Sequence, residues 1–193
     1  MIALLIGLAL FLGAHALTMQ RGRRAALIAR LGPGPYKGLY SLVSLAGFVL
    51  LVYGFASYRS QGYLPVWDPP MWTRHLALLL NLPIFILLVA TRVPGRIRAV
   101  TKHPTLLAVK IWASAHLLAN GDLGSMLLFG SFLAWAVVAR IAAKRRGDDP
   151  PPLPPGTPAL TRGDLIAIVV GLLLYVAMVV WLHPLLIGVR VLP

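Results

Sequence analysis

The stretch IALLIGLALFLGAHALTM, residues 2–19, followed by QRGRR, residues 20–24, decides the fold class of this chain. The apolar part carries no Asp, Glu, Lys or Arg, and it has the length and composition of a helix that crosses about 30 Å of hydrocarbon. Ala14-His15-Ala16 resembles a signal-peptide cleavage site, but the basic residues follow the apolar stretch instead of preceding it. We therefore expect a retained transmembrane helix whose N-terminus lies outside.

Further apolar segments follow, and the basic residues lie mostly between them. The first, third and fifth connections carry five, four and five Lys or Arg residues, with Arg92 at the end of the preceding segment counted in the third, whereas Arg59, Arg74 and Arg190 lie on the other side. This alternation predicts an all-α polytopic membrane helix bundle of about six transmembrane helices, with both termini outside. The further segments are residues 39–58, 72–93, 106–120, 123–139 and 165–183.

The connection before the last segment contains PPPLPPG, residues 150–156, which is typical of a stiff spacer. We therefore predict a five-helix membrane domain over residues 1–143, a Pro-rich cytoplasmic linker over 144–163 and a C-terminal transmembrane helix over 164–193.

The composition excludes several function classes. With 59% hydrophobic and 12% charged residues and a mean hydropathy of +0.81, the chain is unlike a soluble domain, and the lipid bilayer is its expected partner. A formal charge of +13 would favour nucleic acid in a soluble protein, but here the cations mark the loops between apolar segments, so no nucleic-acid partner is expected. The absence of Cys excludes disulfides, iron–sulfur clusters and covalent haem, and the absence of Glu excludes an HExxH peptidase.

Small residues at helical spacing predict where helices pack closely. Ser44, Gly47 and Gly54 share one face of the second segment, and Gly130 and Ala134 are four apart on the fifth. Both sets resemble the small-residue seams of membrane bundles.

Ionisable and polar side chains inside the apolar segments are the candidates for function, because such groups are costly in hydrocarbon. Trp112, His116 and Asn120 recur every four positions and so share one helix face, which is the best candidate site. His15 lies on an apolar face of the first segment, and Lys110 falls within the fourth. The remaining histidines lie nearer segment ends: His75 after Arg74, and His103 and His183 before prolines.

Two neutral imidazoles among Leu, Phe and Trp side chains suit non-covalent haem b, with His15, His116 and His75 as candidate ligands. Lys110 or a loop arginine would then lie near a propionate. His75 and His116 are predicted to lie at similar depths in the membrane, whereas His15 lies nearer the inner face. The residues alone therefore do not decide which two histidines form the ligand pair. A zinc or copper site from His75, His116 and His183 is a further alternative.

Motifs along nearly the whole chain resemble the NnrU family of integral membrane proteins. They are GPYKGLYSLVS at 34–44, WDPP at 67–70, RHL at 74–76, KHP at 102–104 and WASAHLLANGD at 112–122. The resemblance implies a multi-pass protein of the bacterial inner (cytoplasmic) membrane, associated with expression of nitrite and nitric oxide reductases in denitrification.

The same family is related to the plant 15-cis-zeta-carotene isomerase, in which two histidines that match His15 and His116 are taken to hold haem b. The resemblance therefore implies haem b, with His15 and His116 as metal ligands, and a redox-linked or cis-trans isomerase-type role. A hydrophobic polyene or quinone-like molecule is then the expected small partner. The alternative is a non-enzymatic membrane accessory that acts on denitrification reductase components, and whether the chain is an enzyme stays open.

Overall fold

The computed structural model describes residues 1–151 and 153–192, and within these ranges the chain is all-helical, without strands. The helices are α1 (Ile2–Met19), α2 (Arg21–Leu31), α3 (Pro33–Ser60), α4 (Met71–Ala90), α5 (Arg96–Thr101), α6 (Pro104–Ala119), α7 (Leu123–Arg145), α8 (Arg162–Ala177) and α9 (His183–Ile187). A π-helical turn, Met178–Leu182, joins α8 to α9.

The prediction of an all-α membrane bundle is confirmed. Five helices are long and apolar enough to cross a membrane, namely α1, α3, α4, α7 and the continuous run Arg162–Ile187. The 16-residue α6 is apolar but shorter, at about 24 Å for a rise of 1.5 Å per residue. The span count of six and the outside position of both termini stay predictions.

The first basic connection is partly helical, whereas the sequence analysis treated it only as a link between apolar segments. Its first half forms α2, because Arg, Ala and Leu are strong helix formers, and none of its residues is buried. Gly32, with a φ of +85°, ends α2, and Pro33 begins α3 earlier than the apolar pattern alone predicts. We call the end of the bundle that carries α2, α5 and the α7–α8 connection the basic end.

The spanning helices pack in the order α3, α1, α7, α6, α4, α8. The α1–α3 contact is the closest, because a Cβ at Gly7 would overlap the backbone of Leu51 and a Cβ at Gly54 would overlap the backbone of Leu4. A Cβ at Gly47 would lie 2.6 Å from the backbone nitrogen of Phe11. The predicted seam through Gly47 and Gly54 is therefore confirmed.

The second predicted seam is wrong. A Cβ at Gly130 would meet nothing within 4 Å, and Ala134 is exposed. This face of α7 lies away from its neighbours, so small residues at helical spacing do not by themselves indicate a contact.

The last helix packs along α4. A Cβ at Gly171 would lie 2.6 Å from the backbone of Ile86, and the Tyr175 hydroxyl donates to the carbonyl oxygen of Leu78 at 2.9 Å. α8 is thus the last helix in the packing order that begins with α3. The predicted division into a five-helix domain, a linker and a C-terminal helix stays a prediction.

At the end opposite the basic end, residues 64–67 cross the start of α7. The amides of Val66 and Trp67 both donate to the carbonyl oxygen of Gly121, at 2.8 and 3.0 Å. A Cβ at Gly121 would overlap the carbonyl oxygen of Trp67, so only glycine permits this approach. Asp122 caps α7 by accepting from the amide and hydroxyl of Ser125.

Candidate functional site

His15 lies half-buried in the basic half of α1, and its environment is aromatic. Its Nδ1 lies 2.7 Å from the carbonyl oxygen of Phe11, four residues earlier. A carbonyl oxygen can only accept, so Nδ1 is the donor and carries the proton. In the neutral imidazole the lone pair is then on Nε2, which has no hydrogen-bond partner within the described residues. The rings of Phe11, Tyr40 and Trp135 have centroids 4.3, 5.8 and 5.9 Å from the imidazole.

His116 has the same arrangement on α6. Its Nδ1 donates to the carbonyl oxygen of Trp112 at 2.8 Å, and Nε2 makes no hydrogen bond in the described part of the chain. The Phe129 ring stacks on the imidazole at 4.6 Å, and the Trp112 ring lies 5.2 Å away. In their neutral forms both histidines therefore have a lone pair at Nε2, an atom that can bind a metal.

Asn120 caps α6 instead of facing the imidazole. Its side-chain amide donates to the backbone carbonyl of His116 at 2.9 Å. The stripe Trp112, His116, Asn120 is thus a ladder in which each polar side chain bonds the carbonyl four residues before it. This satisfies carbonyls near the helix end, and it leaves Trp112 and His116 as the members of the stripe that touch other rings.

A cluster of rings connects the two histidines, and we call it the aromatic cluster. Phe132 of α7 contacts Phe11 at 5.8 Å and Trp112 at 5.5 Å, and Trp112 contacts Phe129 at 5.0 Å. His15 and His116 lie at opposite ends of this cluster and are bridged by its rings. Its members are Phe11, Trp112, Phe129 and Phe132.

Unpartnered polar atoms accompany His15. The Ser44 hydroxyl and the Trp135 indole nitrogen are buried and have no hydrogen-bond partner among the described residues. Trp135 contacts the imidazole edge-on, and Ser44 lies three residues from Gly47, which packs on Phe11. Buried polar groups are nearly always bonded, so these two atoms are exceptions in the arrangement that the structure shows.

The other candidate residues lie apart from this cluster. His75 is exposed on α4, and Lys110 is partly buried without an ion pair in the described ranges. His183 Nδ1 donates to the carbonyl oxygen of Val189 at 2.8 Å. Within residues 1–151 and 153–192, no three His or Asp side chains form a group able to hold a metal, so the predicted site of His75, His116 and His183 is wrong.

His103 belongs to an electrostatic clamp at the basic end. The Asp149 carboxylate pairs with Lys102 at 2.8 Å, Arg140 at 3.0 Å and His103 at 3.3 Å. The hydrogen bond from Lys102, with help from Arg140, lowers the pKa of Asp149 from 3.8 to about 2. Lys102 itself adopts a φ of +61°, an uncommon conformation for a residue with a Cβ. The clamp ties the start of α6 to the end of α7.

Two cavities lie near the candidate residues. A cleft of about 470 Å³ opens at the end opposite the basic end, between residues 59–69 and the turn after α6, and Asn120 and Arg74 line it. A groove of about 410 Å³ lies among α1, α2 and α3 toward the basic end, and we call it the inner groove. It lies beside His15, because two of its lining residues adjoin this histidine. Ala14 precedes His15 in the chain, and the Tyr40 ring contacts the imidazole.

Several contributors to the site were missed from sequence. Phe129, Phe132 and Trp135 are ordinary apolar residues of a spanning helix, whereas the i, i+4 spacing already places Phe11 on the apolar face of His15.

Comparison with known proteins gives one match. The sequence profile described as NnrU protein matches residues 3–191 of the 193-residue chain. No curated protein and no solved structure matches the chain.

Proposed function

The chain belongs to the NnrU family of membrane proteins, and on that premise we infer that it binds haem b through His15 and His116. Bound haem would serve a redox-linked or cis-trans isomerase-type reaction of a polyunsaturated lipid, in the bacterial inner membrane. One observation carries the proposal: both histidines keep Nε2 unbonded, and both imidazoles contact rings of the same aromatic cluster.

The donor chemistry supports this choice. Haem iron takes imidazole nitrogens as axial ligands, and a bond from the other ring nitrogen to a carbonyl fixes the imidazole and raises its basicity. Phe11 and Trp112 supply these carbonyls from within the same helices as the ligands. The ring orientation is therefore set by each helix alone.

The surroundings offer apolar ring faces and a few polar atoms. The aromatic cluster provides faces for stacking, and the Ser44 hydroxyl and the Trp135 indole nitrogen have no hydrogen-bond partner among the described residues. Lys110, on the same helix as His116, is the proposed partner of a propionate. When bound, haem b would supply an iron that changes oxidation state within the membrane.

The test is the haem content of the full-length protein, expressed with a haem supply and purified in detergent. We expect a Soret band and a pyridine haemochrome in the wild type, and loss of both in His15→Ala and in His116→Ala. The matched controls are His75→Ala and His103→Ala, because these histidines lie outside the aromatic cluster. Both controls should keep the wild-type haem content.

Three outcomes would contradict the proposal. A wild-type protein without haemochrome would favour the non-enzymatic accessory of denitrification reductases. Unchanged spectra in both His15→Ala and His116→Ala would remove these residues as ligands. Loss of haem in His75→Ala but not in His15→Ala would assign the second ligand to His75, the alternative that depth favours.

A further inference from the structure

The cleft of about 470 Å³ at the end opposite the basic end has charged side chains in its lining, and we call it the charged cleft. Arg59 lies in the last turn of α3, Arg74 in the first turn of α4, and Asp68 in the connection between these helices. The volume is within the range of about 300–1,000 Å³ that small-molecule sites occupy. All three residues are exposed, so a ligand in the cleft can reach their charges.

The opposite charges of this cleft do not pair with one another. Within the described residues, Arg59, Arg74 and Asp68 make no ion pair. Asp122 also lines the cleft, but it is buried, and its carboxylate accepts from the amide and hydroxyl of Ser125. The lining therefore offers a ligand two guanidinium groups and one carboxylate, each available for a partner.

Arg59 and Asp68 are positioned by contacts that do not involve each other. The guanidinium carbon of Arg59 lies 5.9 Å from the ring centroids of both Phe55 and Tyr63, which is a cation–π arrangement. Asp68 follows residues 64–67, which are hydrogen-bonded to the turn before α7, and two prolines restrict the backbone directly after it. Opposite charges thus lie in one cleft without neutralising each other, which favours a ligand that carries both signs of charge.

The signs of these charges select the class of ligand. A simple anion would be attracted by Arg59 and Arg74 but repelled by the Asp68 carboxylate, and a simple cation would experience the reverse. A molecule with a phosphate and an ammonium group gives every charge a partner of opposite sign. Guanidinium groups bind phosphate oxygens, often in a bidentate arrangement, and an ammonium group donates to a carboxylate.

The aromatic residues around the cleft indicate where such a ligand comes from. Tyr63 and Trp67 line the cleft, Trp72 lies in the first turn of α4, and all three are exposed. Exposed Trp and Tyr residues are typical of the level at which a membrane protein meets the lipid headgroups. A phospholipid headgroup is therefore favoured over a soluble zwitterion.

We propose that the charged cleft binds the headgroup of a zwitterionic phospholipid, with the phosphate at Arg59 and Arg74 and the ammonium group at Asp68. The acyl chains stay in the bilayer, so the headgroup determines which lipid binds. This site needs no haem and does not rest on the proposed function.

The experiment measures lipid binding to the purified full chain in detergent by native mass spectrometry. The probes are phosphatidylethanolamine and phosphatidylglycerol with identical acyl chains, because only the first carries an ammonium group. We expect the dissociation constant of phosphatidylethanolamine to be lower by about threefold to fivefold, which is the effect of one exposed ion pair.

Two substitutions test the roles of the charges. Arg74→Gln should weaken the binding of both lipids about threefold to fivefold, because both carry a phosphate. Asp68→Asn should weaken the binding of phosphatidylethanolamine alone and so remove the preference between the two lipids. Arg190→Gln is the matched control, because Arg190 is also an exposed arginine on the predicted outer side but does not line the cleft. It should keep both wild-type dissociation constants.

Four results would each overturn the proposal, with all variants folded by circular dichroism. They are equal affinities of the wild type for the two lipids, a wild-type preference in Asp68→Asn, wild-type affinities in Arg74→Gln, and equal losses in Arg74→Gln and Arg190→Gln.

A soluble probe separates the two sources of the headgroup. Glycerophosphoethanolamine should bind about tenfold more weakly than the lipid, because it lacks the acyl chains that hold the headgroup at the membrane. Binding as tight as that of the lipid would overturn a phospholipid as the occupant. The haem content of the same samples should not change with Arg74→Gln or Asp68→Asn, so this proposal and the proposed function can fail separately.

Discussion

Replacing Asp164 by Ala should destabilise the bundle more than any other change of a single acidic residue in the described ranges. Asp164 is 1% exposed and accepts from the amides of Arg96, Ile97 and Thr161, at 3.1, 2.8 and 2.9 Å, and from the Thr161 hydroxyl at 2.8 Å. It therefore caps both α5 and α8 and holds the α4–α5 connection against α8. A Cβ at Gly95 would lie 2.5 Å from its carboxylate, so the fit is close.

The magnitude follows from the donors left behind. Asp164→Ala leaves three amides without an acceptor, and each unsatisfied buried donor costs about 1–3 kcal/mol, part of which water recovers at this end of the helices. We expect a loss of about 3–5 kcal/mol in the free energy of unfolding, similar to loss of a partner from a buried charged site.

The assay is equilibrium unfolding of the purified protein in detergent by increasing SDS, followed by helical circular dichroism. Asp68→Ala is the control, because Asp68 is exposed and makes no side-chain hydrogen bond or ion pair in the described part of the chain. Its unfolding free energy should stay within about 0.5 kcal/mol of the wild type. Equal stabilities of Asp164→Ala and Asp68→Ala would refute the capping argument.

Two further predictions concern packing and charge. Gly54→Ala should lower the free energy of unfolding by about 1–3 kcal/mol because its Cβ overlaps the backbone of Leu4, whereas Gly38→Ala, in open space on the same helix, should raise it by about 0.5–1 kcal/mol. The same SDS titration measures both, and equal signs would contradict the expectation. Because the pKa of Asp149 falls from 3.8 to about 2 on folding, its stabilising effect is present above about pH 4 and is lost as the pH falls toward 2. Unfolding curves of wild type and Asp149→Asn should therefore differ at pH 6 and converge near pH 2, and a constant difference would show that the clamp with Lys102 does not form.

The fold class could be predicted because it depends on composition along the chain. Apolar length and the position of basic residues are local properties, and they located every helix long enough to span. Helix α2 was missed because the prediction treated its basic residues as loop signals, although Arg and Ala favour helix. The two small-residue seams show what helical spacing cannot predict. Gly54 and Gly130 both belong to sets of small residues on one helix face, but only Gly54 packs against the backbone of a neighbouring helix.

The candidate site was predictable only in part for the same reason. His116 and Trp112 were identified from spacing within one helix, and the structure adds the carbonyl bond that this spacing allows. The path from His116 to His15, however, runs through Phe132, which belongs to a third helix and touches Phe11 and Trp112. No pattern within α7 distinguishes Phe132 from a lipid-facing residue, because the order α1, α7, α6 is decided by packing between helices. Two histidines on different helices are therefore recognised as a pair by the residues that lie between them. Those residues, such as Phe132, are the ones that the sequence pattern distinguishes least.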